Sequence, residues 1–164
     1  MSPRPRGVPA FAQVSEALYR GGQPTADGFG ELKKMGIRTV VSLRHTGSDQ
    51  HRLNGLGLQY VQIRFDPVRP EDEDVVDFLK VVTEADNQPV FVHCLEGVNR
   101  TGMMVAVYRV VVQDWPREKA LAEMKAMGAN GGWVAIDRYV HDFDAEKIKQ
   151  RLACARPVMA AVVP

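Results

Sequence analysis

The chain has 164 residues, of which 45% are apolar and 25% are charged, and its 21 basic and 20 acidic residues leave a formal net charge of +1. This composition predicts a single folded domain and argues against intrinsic disorder. The charge balance gives no electrostatic basis for binding nucleic acid, and no stretch of 18 apolar residues is available to span a membrane.

The ends of the chain and its cysteines predict a reduced, cytoplasmic protein. The N-terminal stretch contains basic residues but no apolar core, although a secretory signal already removed would leave the same sequence. Cys94 and Cys154 are too few for a disulfide framework. Nothing in the sequence indicates an oligomeric state. We predict an N-terminal arm over residues 1–15, a globular domain over residues 16–152 and a C-terminal tail over residues 153–164.

The first half of the chain predicts three strands separated by helices. A short strand over residues 17–20 leads into a Gly-Gly turn, and Thr25 suits the N-cap of a helix that ends at Gly36. The β-branched run over residues 37–43 predicts a buried strand. A polar loop with a short helix follows, and alternating apolar and polar residues over 60–65 predict a third strand.

The second half of the chain predicts one more strand and several helices. Two prolines make residues 66–70 a loop, and the acidic residues 71–74 favour the start of a helix. Residues 89–93 predict a strand, followed by a strongly apolar helix, a helix opened by Pro116 and one or two helices over residues 133–152. This alternation predicts an α/β domain with a central, mostly parallel sheet of four to five strands flanked by helices.

Polar residues follow three of the predicted strands. They are Arg44 with His45, Asp66, and His93 with Cys94. In open α/β sheets the ligand lies beyond the carboxyl ends of the strands, so we expect these residues to converge on one edge. At this edge, Arg44 and His45 either contact the substrate or are charged residues of a surface loop.

The strongest functional signal lies in residues 93–102, HCLEGVNRTG. Cys94 leaves a buried strand, and Arg100 enters a helix after five intervening residues. A loop of this length, bent at Gly97, can aim several backbone N–H groups at one point beside the positive end of the helix dipole. Arg100 adds a guanidinium that can bind two phosphate oxygens. The segment therefore predicts a site for a dianionic phosphoryl group.

The same electrostatic field predicts that Cys94 is a nucleophile. Cysteines at a helix N-terminus beside a cation have pKa values of roughly 3.5–7.5, below the usual value of about 8.5. We therefore expect a thiolate that attacks phosphorus and forms a cysteinyl-phosphate. Thr101 can donate its hydroxyl to this sulfur when the intermediate is hydrolysed. Cys154 has no partner motif, and we assign it no catalytic role.

HCLEGVNRTG resembles the H-C-x5-R-[S/T]-G signature of the cysteine-dependent protein tyrosine phosphatases. The Glu96-Gly97 pair, the opening LYRGGQP and the strand VVSLR are similar to small bacterial and atypical dual-specificity members of this superfamily. The similarity covers about residues 17–128. It implies a parallel sheet flanked by helices, a phosphatase domain over residues 16–152, and two-step hydrolysis of phosphate monoesters without a metal or other cofactor.

The resemblance also implies roles around the signature. A phosphate-binding role falls to Leu95, Glu96, Gly97, Val98, Asn99 and Arg100, and a supporting role falls to His93 and Gly102. We expect His93 to hydrogen-bond the backbone and Asn99 to tie the loop together. We expect the side chain of Glu96 to point away from the phosphate, because both are negatively charged.

The resemblance further implies a general acid on a separate loop, a group that typically contributes about 10²–10⁴-fold to the rate. We predict Asp66, because it follows a strand, starts a proline-containing loop and lies 28 residues before Cys94. Asp72 is the alternative. The competing interpretations are an Asx turn for Asp66 and a charge at a helix N-terminus for Asp72.

The leading hypothesis is a phosphatase that acts on phosphotyrosine in proteins, and also on phosphoserine and phosphothreonine. The main alternative is a phosphatase for phosphoinositides or other small phosphate monoesters, although Arg100 is the only basic residue of the loop and Glu96 is acidic. Loop length and missing resolving thiols disfavour a sulfurtransferase or an arsenate reductase. A non-catalytic module that binds phosphorylated residues is the last alternative. No inserted segment indicates a deep phosphotyrosine pocket, so we expect a shallow cleft and broad specificity.

Overall fold

The computed structural model describes residues 4–158 and 160–164; residues 1–3 and Met159 lie outside the described part. Six strands form one sheet in the order β1-β2-β5-β3-β4-β6. The four central strands run parallel, and the two edge strands are antiparallel to their neighbours. The strands are β1 (Ala12–Gln13), β2 (Leu18–Gly21), β3 (Thr39–Ser42), β4 (Gln59–Gln62), β5 (Val90–His93) and β6 (Ala161–Val162).

Among the described residues, seven α-helices and one short 3₁₀ turn connect and cover the sheet. The predicted α/β class is confirmed, and of the one or two helices predicted over residues 133–152 the structure has two. The helices are α1 (Ala26–Lys34), α2 (Gln50–Leu53), α3 (Asp72–Thr83), α4 (Asn99–Val111), α5 (Arg117–Ala126), α6 (Val134–Asp142) and α7 (Ala145–Cys154), and the 3₁₀ turn is Ala85–Asn87.

The sheet has apolar side chains on both faces, which is why its central strands read as continuous apolar runs. Val41 and Val92 belong to a large cluster with α3 and α4, whereas Val40 and Phe91 belong to a second cluster with α1. Successive strand residues point to opposite faces, so β3 and β5 contribute to both clusters. Helix α4 is buried on nearly every side, because α3, α5, α6 and α7 pack around it.

Local sequence signals place the ends of α1 as predicted. The Thr25 side chain accepts a hydrogen bond from the Gly28 N–H at 3.0 Å, as an N-cap does. Gly36 follows the helix with a φ of +90°, a conformation that glycine adopts without a steric penalty. The third predicted strand is shorter than expected, because β4 ends at Gln62, opposite the last residue of β3.

Parts of the two terminal segments join the sheet. In the predicted N-terminal arm β1 pairs with β2, and in the predicted C-terminal tail β6 pairs with β4, so the described sheet has six strands rather than the four to five predicted. Phe11 and Val163 are 8% and 6% exposed, so these segments bury apolar surface and cover the sheet edges. Within the described residues, no helix is long and apolar enough to cross a membrane.

In the first turn of α3, the surroundings of Asp74 disfavour the ionised form of its carboxyl group. Partial burial and the nearby carboxylates of Glu71 and Asp77 raise the pKa of Asp74 to about 6. The ordinary value in an unfolded chain is about 3.9. The folded state therefore prefers the protonated form, and ionisation of Asp74 destabilises the fold as the pH rises from about 4 through about 6.

We expect the substitution Asp74→Asn to raise the free energy of unfolding at pH 7 by about 1 kcal/mol, after allowance for solvent screening. At pH 4 the gain disappears, because Asp74 is then protonated in the folded state. Urea unfolding at both pH values measures the difference. Asp27→Asn is the matched control, since Asp27 also lies in the first turn of a helix. A D74N protein that is less stable than wild type at pH 7 would contradict this account.

Candidate active site

Cys94 lies at the bottom of a small cavity at the carboxyl end of β5. Its side chain is buried, and the Gly97 N–H donates a hydrogen bond to its Sγ at 3.2 Å. The loop from Cys94 to Val98 leads directly into the N-terminus of α4. The cavity has a volume of about 140 Å³, and its lining residues are Cys94, Leu95, Glu96, Asn99, Arg100 and Trp133.

The surroundings of Cys94 favour the thiolate. Burial raises the pKa of the thiol, but hydrogen bonds from Thr101 and Gly97 and the positive charge of Arg100 outweigh it, so the pKa lies below the ordinary value. The buried hydroxyl of Thr101 has no hydrogen bond of standard geometry with a described residue. Its proton is therefore free to turn toward the sulfur. The site thus favours the thiolate form of Cys94 at a helix end that is suited to bind an anion.

The loop can bend tightly because Gly97 packs against the backbone of two other glycines. Gly97 has a φ of +76°, and a Cβ on it would lie 2.4 Å from backbone atoms of Gly21 and Gly22. The Leu95 carbonyl accepts a hydrogen bond from the Gln23 N–H at 2.9 Å, which fixes the loop against the segment after β2. The Gly-Gly turn seen in the sequence therefore holds the phosphate-binding loop as well as ending a strand.

A buried arginine on β2 holds the loop through a hydrogen bond. Arg20 is 2% exposed, and its Nη2 donates to the Gly97 carbonyl at 2.9 Å. Burial lowers the pKa of Arg20, while the negative charges of Glu123 and Cys94 act in the opposite direction. This residue is not among those predicted from the sequence. Its signal is an arginine two positions after Leu18, and so on the same inward face of the strand.

His93 connects the loop to the buried carboxylate of Asp49. One ring nitrogen, Nδ1, is 3.0 Å from the Cys94 carbonyl, and Nε2 is 2.8 Å from Asp49 Oδ2. Gln23 donates to the other oxygen of Asp49 at 2.8 Å. Burial acts to raise the pKa of Asp49, but hydrogen bonds from His93 and Gln23 outweigh it and leave the pKa lowered. His93 thus orders the backbone as expected, through a partner that no local pattern reveals.

Arg44 and His45 do not line the cavity of Cys94. Arg44 is half-buried, and its Nη1 donates to the side-chain oxygen of Gln23 at 2.8 Å. His45 is exposed, and its carbonyl accepts a hydrogen bond from Arg64. Arg44 therefore reaches the phosphate-binding loop only through Gln23, and its predicted contact with substrate stays a prediction.

The two candidate general acids have different surroundings. Asp66 is half-buried and accepts a hydrogen bond from the Val68 N–H at 2.9 Å. It lines a cavity with Arg64, Arg69, Glu71 and Asp74 and does not line that of Cys94, so its role as the general acid stays a prediction. Asp72 accepts hydrogen bonds from Tyr139 at 2.7 Å and from Lys147 at 2.9 Å. Burial acts to raise the pKa of Asp72, but these two donors outweigh it and lower the pKa. Asp72 is therefore a poor proton donor.

Some of the remaining signature residues line the cavity, and others pack behind it. Leu95 and Glu96 are exposed and line the cavity, and the expected direction of the Glu96 side chain stays a prediction. Gly102 packs closely against α5, because a Cβ on it would lie 3.1 Å from Met124, and its supporting role stays a prediction. Trp133 on the opposite rim was not anticipated. It lies 39 residues beyond Cys94 in the sequence, and no motif marks it.

A nucleophilic cysteine in a loop between a parallel strand and a helix, followed by an arginine that faces the same cavity, defines a cysteine-dependent phosphatase. A family model described as "DSP-PTPase phosphatase fused to NAD+ Kinase" matches residues 8–142. The chain belongs to this family, in the small, atypical dual-specificity branch of the protein tyrosine phosphatase superfamily, which confirms the resemblance. It is a phosphoric monoester hydrolase.

Some relatives of the chain are named inositol diphosphatases, and others are named dual specificity protein phosphatases. It is 30% identical over 154 residues to inositol diphosphatase DSP5 of Arabidopsis thaliana, over 88% of this chain and 74% of that protein. It is 34% identical over 144 residues to dual specificity protein phosphatase TpbA of Pseudomonas aeruginosa, over 86% of this chain and 66% of that protein. The crystal structure of a Cys→Ser variant of P. aeruginosa TpbA in complex with pTyr superimposes with a TM-score of 0.82, at 27% identity and with 94% and 96% of the two chains covered.

We expect the substitution Thr101→Val to move the alkylation of Cys94 by iodoacetamide to higher pH, because the hydroxyl that stabilises the thiolate is lost. In the wild type, the midpoint for Cys94 lies below that of a free cysteine peptide. Mass spectrometry of the Cys94 peptide across pH measures both midpoints.

Two controls accompany this experiment. Cys154, which is exposed, reports reagent reactivity in the same sample. Thr46→Val changes an exposed threonine outside the site and leaves the Cys94 midpoint unchanged. A wild-type midpoint equal to that of the free peptide would show that the loop does not stabilise the thiolate.

Proposed function

We propose that this chain removes phosphate from phosphotyrosine in proteins, and also from phosphoserine and phosphothreonine, through a cysteinyl-phosphate intermediate. The observation that carries the proposal is the buried Cys94 thiol with its lowered pKa, placed beside Arg100 at the N-terminus of α4. We expect the reaction to take place in the cytoplasm, where a reducing environment keeps the nucleophile free.

The first step transfers the phosphoryl group to sulfur. The phosphate oxygens accept hydrogen bonds from the amides of the loop and from the guanidinium of Arg100. The Cys94 sulfur attacks phosphorus, so an S–P bond forms while the P–O bond to the substrate breaks. Asp66 protonates the departing oxygen, which leaves as a neutral hydroxyl group. Pro67 and Val68, which follow Asp66 directly, reach the rim of the site beside Trp133.

The second step regenerates the thiolate. Asp66, now ionised, accepts a proton from a water molecule, and the water oxygen attacks phosphorus as the S–P bond breaks. The hydroxyl of Thr101 can turn toward the departing sulfur and stabilise its charge. Apart from the substrate and water, every reacting group in the two steps is a side chain of the protein, so the proposed reaction needs neither a metal nor an organic cofactor.

The rim of the cavity favours a phosphoprotein over an inositol phosphate as the substrate. Besides Arg100, its lining residues bring no positive charge, and Glu96 brings a negative one. Leu95 and Trp133 are 52% and 41% exposed and offer apolar contact to a phenyl ring. An inositol phosphate would present several further anionic groups to this rim. The names of several relatives nevertheless make an inositol phosphate the second candidate.

The proposed chemistry is tested with Cys94→Ser. We expect the wild type to hydrolyse p-nitrophenyl phosphate in the presence of a chelator, with inhibition by vanadate, and the variant to lose this activity because serine is not ionised at neutral pH. Phosphotyrosyl, phosphoseryl and phosphothreonyl peptides and inositol phosphates form the substrate panel. Cys154→Ser is the matched control and retains full activity. Phosphopeptide binding without phosphate release by folded wild type would instead indicate a binding module.

The role of Asp66 is tested by Asp66→Asn, which keeps an oxygen acceptor for the Val68 N–H. We expect kcat on a phosphotyrosyl peptide to fall about 10²–10⁴-fold, because the leaving oxygen is no longer protonated. The loss on p-nitrophenyl phosphate is smaller, since nitrophenolate leaves without a proton. Asp72→Asn is the matched control and keeps kcat. The reverse pattern, with loss in D72N and none in D66N, would assign the acid to α3.

A further inference from the structure

Exposed apolar side chains concentrate around the opening of the active site. Among the described residues, seven large apolar side chains are exposed, and four of them border this opening: Val68, Leu95, Trp133 and Val134. Single exposed apolar residues are common on protein surfaces, but clusters mark binding sites. The position of these four therefore calls for an explanation beyond the phosphate itself.

Three of the four side chains line a second cavity next to that of Cys94. This cavity, which we call the apolar groove, has a volume of about 340 Å³. Its walls come from the loop after Asp66 and from the start of α6, and its lining residues are Pro67, Val68, Gly132, Trp133, Val134, Ala135 and Arg138. Trp133 lines both cavities, so a single side chain separates the groove from the phosphate-binding site.

We propose that the apolar groove binds an apolar side chain of the substrate protein that lies two residues from the phosphorylated residue; this inference rests on the proposed function. An extended peptide advances about 3.3 Å per residue, and its successive side chains point to opposite sides. A side chain two positions away therefore points to the same side as the phosphorylated residue, about 6.6 Å along the peptide, and can reach past Trp133. Val68 and Val134, which are 64% and 66% exposed, lose contact with water when the groove is filled.

The charges around the groove favour a peptide over a membrane surface. Arg138 is the one charged residue among the described residues that line the groove, and Glu96 lies on the neighbouring rim. Attraction to anionic lipids depends on clusters of several Lys or Arg residues.

The test compares the wild type with the double variant Val68→Ser/Val134→Ser. Neither residue lines the cavity of Cys94. Val162→Ser is the matched control, because Val162 is 59% exposed on the edge strand β6. The substrates are p-nitrophenyl phosphate and two phosphotyrosyl peptides that differ only in having a Leu or a Ser two residues from the phosphotyrosine.

We expect the wild type to show a kcat/KM for the Leu peptide about threefold to tenfold above that for the Ser peptide, through a lower KM. The double variant loses this preference and keeps its activity on the Ser peptide and on p-nitrophenyl phosphate. The control variant behaves as the wild type in every assay.

Three results would overturn the inference. The wild type could show no preference for the Leu peptide, or the double variant could lose the same factor on all three substrates. Binding to phosphatidylserine vesicles that depends on Val68 and Val134, with unchanged peptide preference, would assign the groove to a membrane. In each of these cases peptide turnover still supports the proposed function. If folded wild type hydrolyses neither peptide, the proposed function itself is wrong.

Discussion

The need to stabilise a negative charge on the buried sulfur of Cys94 is the constraint on which the rest of the site depends. Burial alone raises the pKa of the thiol, so the thiolate needs compensation from several directions. The N–H of Gly97, the hydroxyl of Thr101 and the charge of Arg100 supply it together with the start of α4. The same donors suit a phosphate dianion, so activation of the nucleophile and binding of the substrate require one geometry.

That geometry needs support from residues that never face the substrate. Loop amides can converge on one point only if the loop is bent away from ordinary backbone conformations, as the positive φ of Gly97 shows. Arg20 holds the Gly97 carbonyl from below, and Asp49 holds the Cys94 carbonyl through His93. Both carbonyls are turned toward cations or ring donors and away from the anion. The buried polar groups are therefore part of the electrostatic design of the loop.

The sequence predicts what local patterns encode. Cys94, Arg100 and the capped start of α1 follow from residues a few positions apart, and so does the alternation of strands and helices. Arg20 and Asp49 act across 77 and 44 residues of sequence, so their role depends on how the sheet is assembled. The edge strands are two residues each, too short for any periodicity. Trp133 was missed for the same reason as Arg20, because only the packing of α6 on α4 brings it to the rim.

The two interpretations of Asp66 raised by the sequence are compatible. One of its oxygens, Oδ1, accepts the hydrogen bond from the Val68 N–H and so forms the Asx turn. A carboxyl group transfers a proton through a single oxygen, and Oδ2 has no hydrogen bond with a described residue. In Asp72 both oxygens are engaged, one by Tyr139 and the other by Lys147. The turn therefore orients Asp66 and leaves one oxygen for chemistry, whereas the partners of Asp72 leave none.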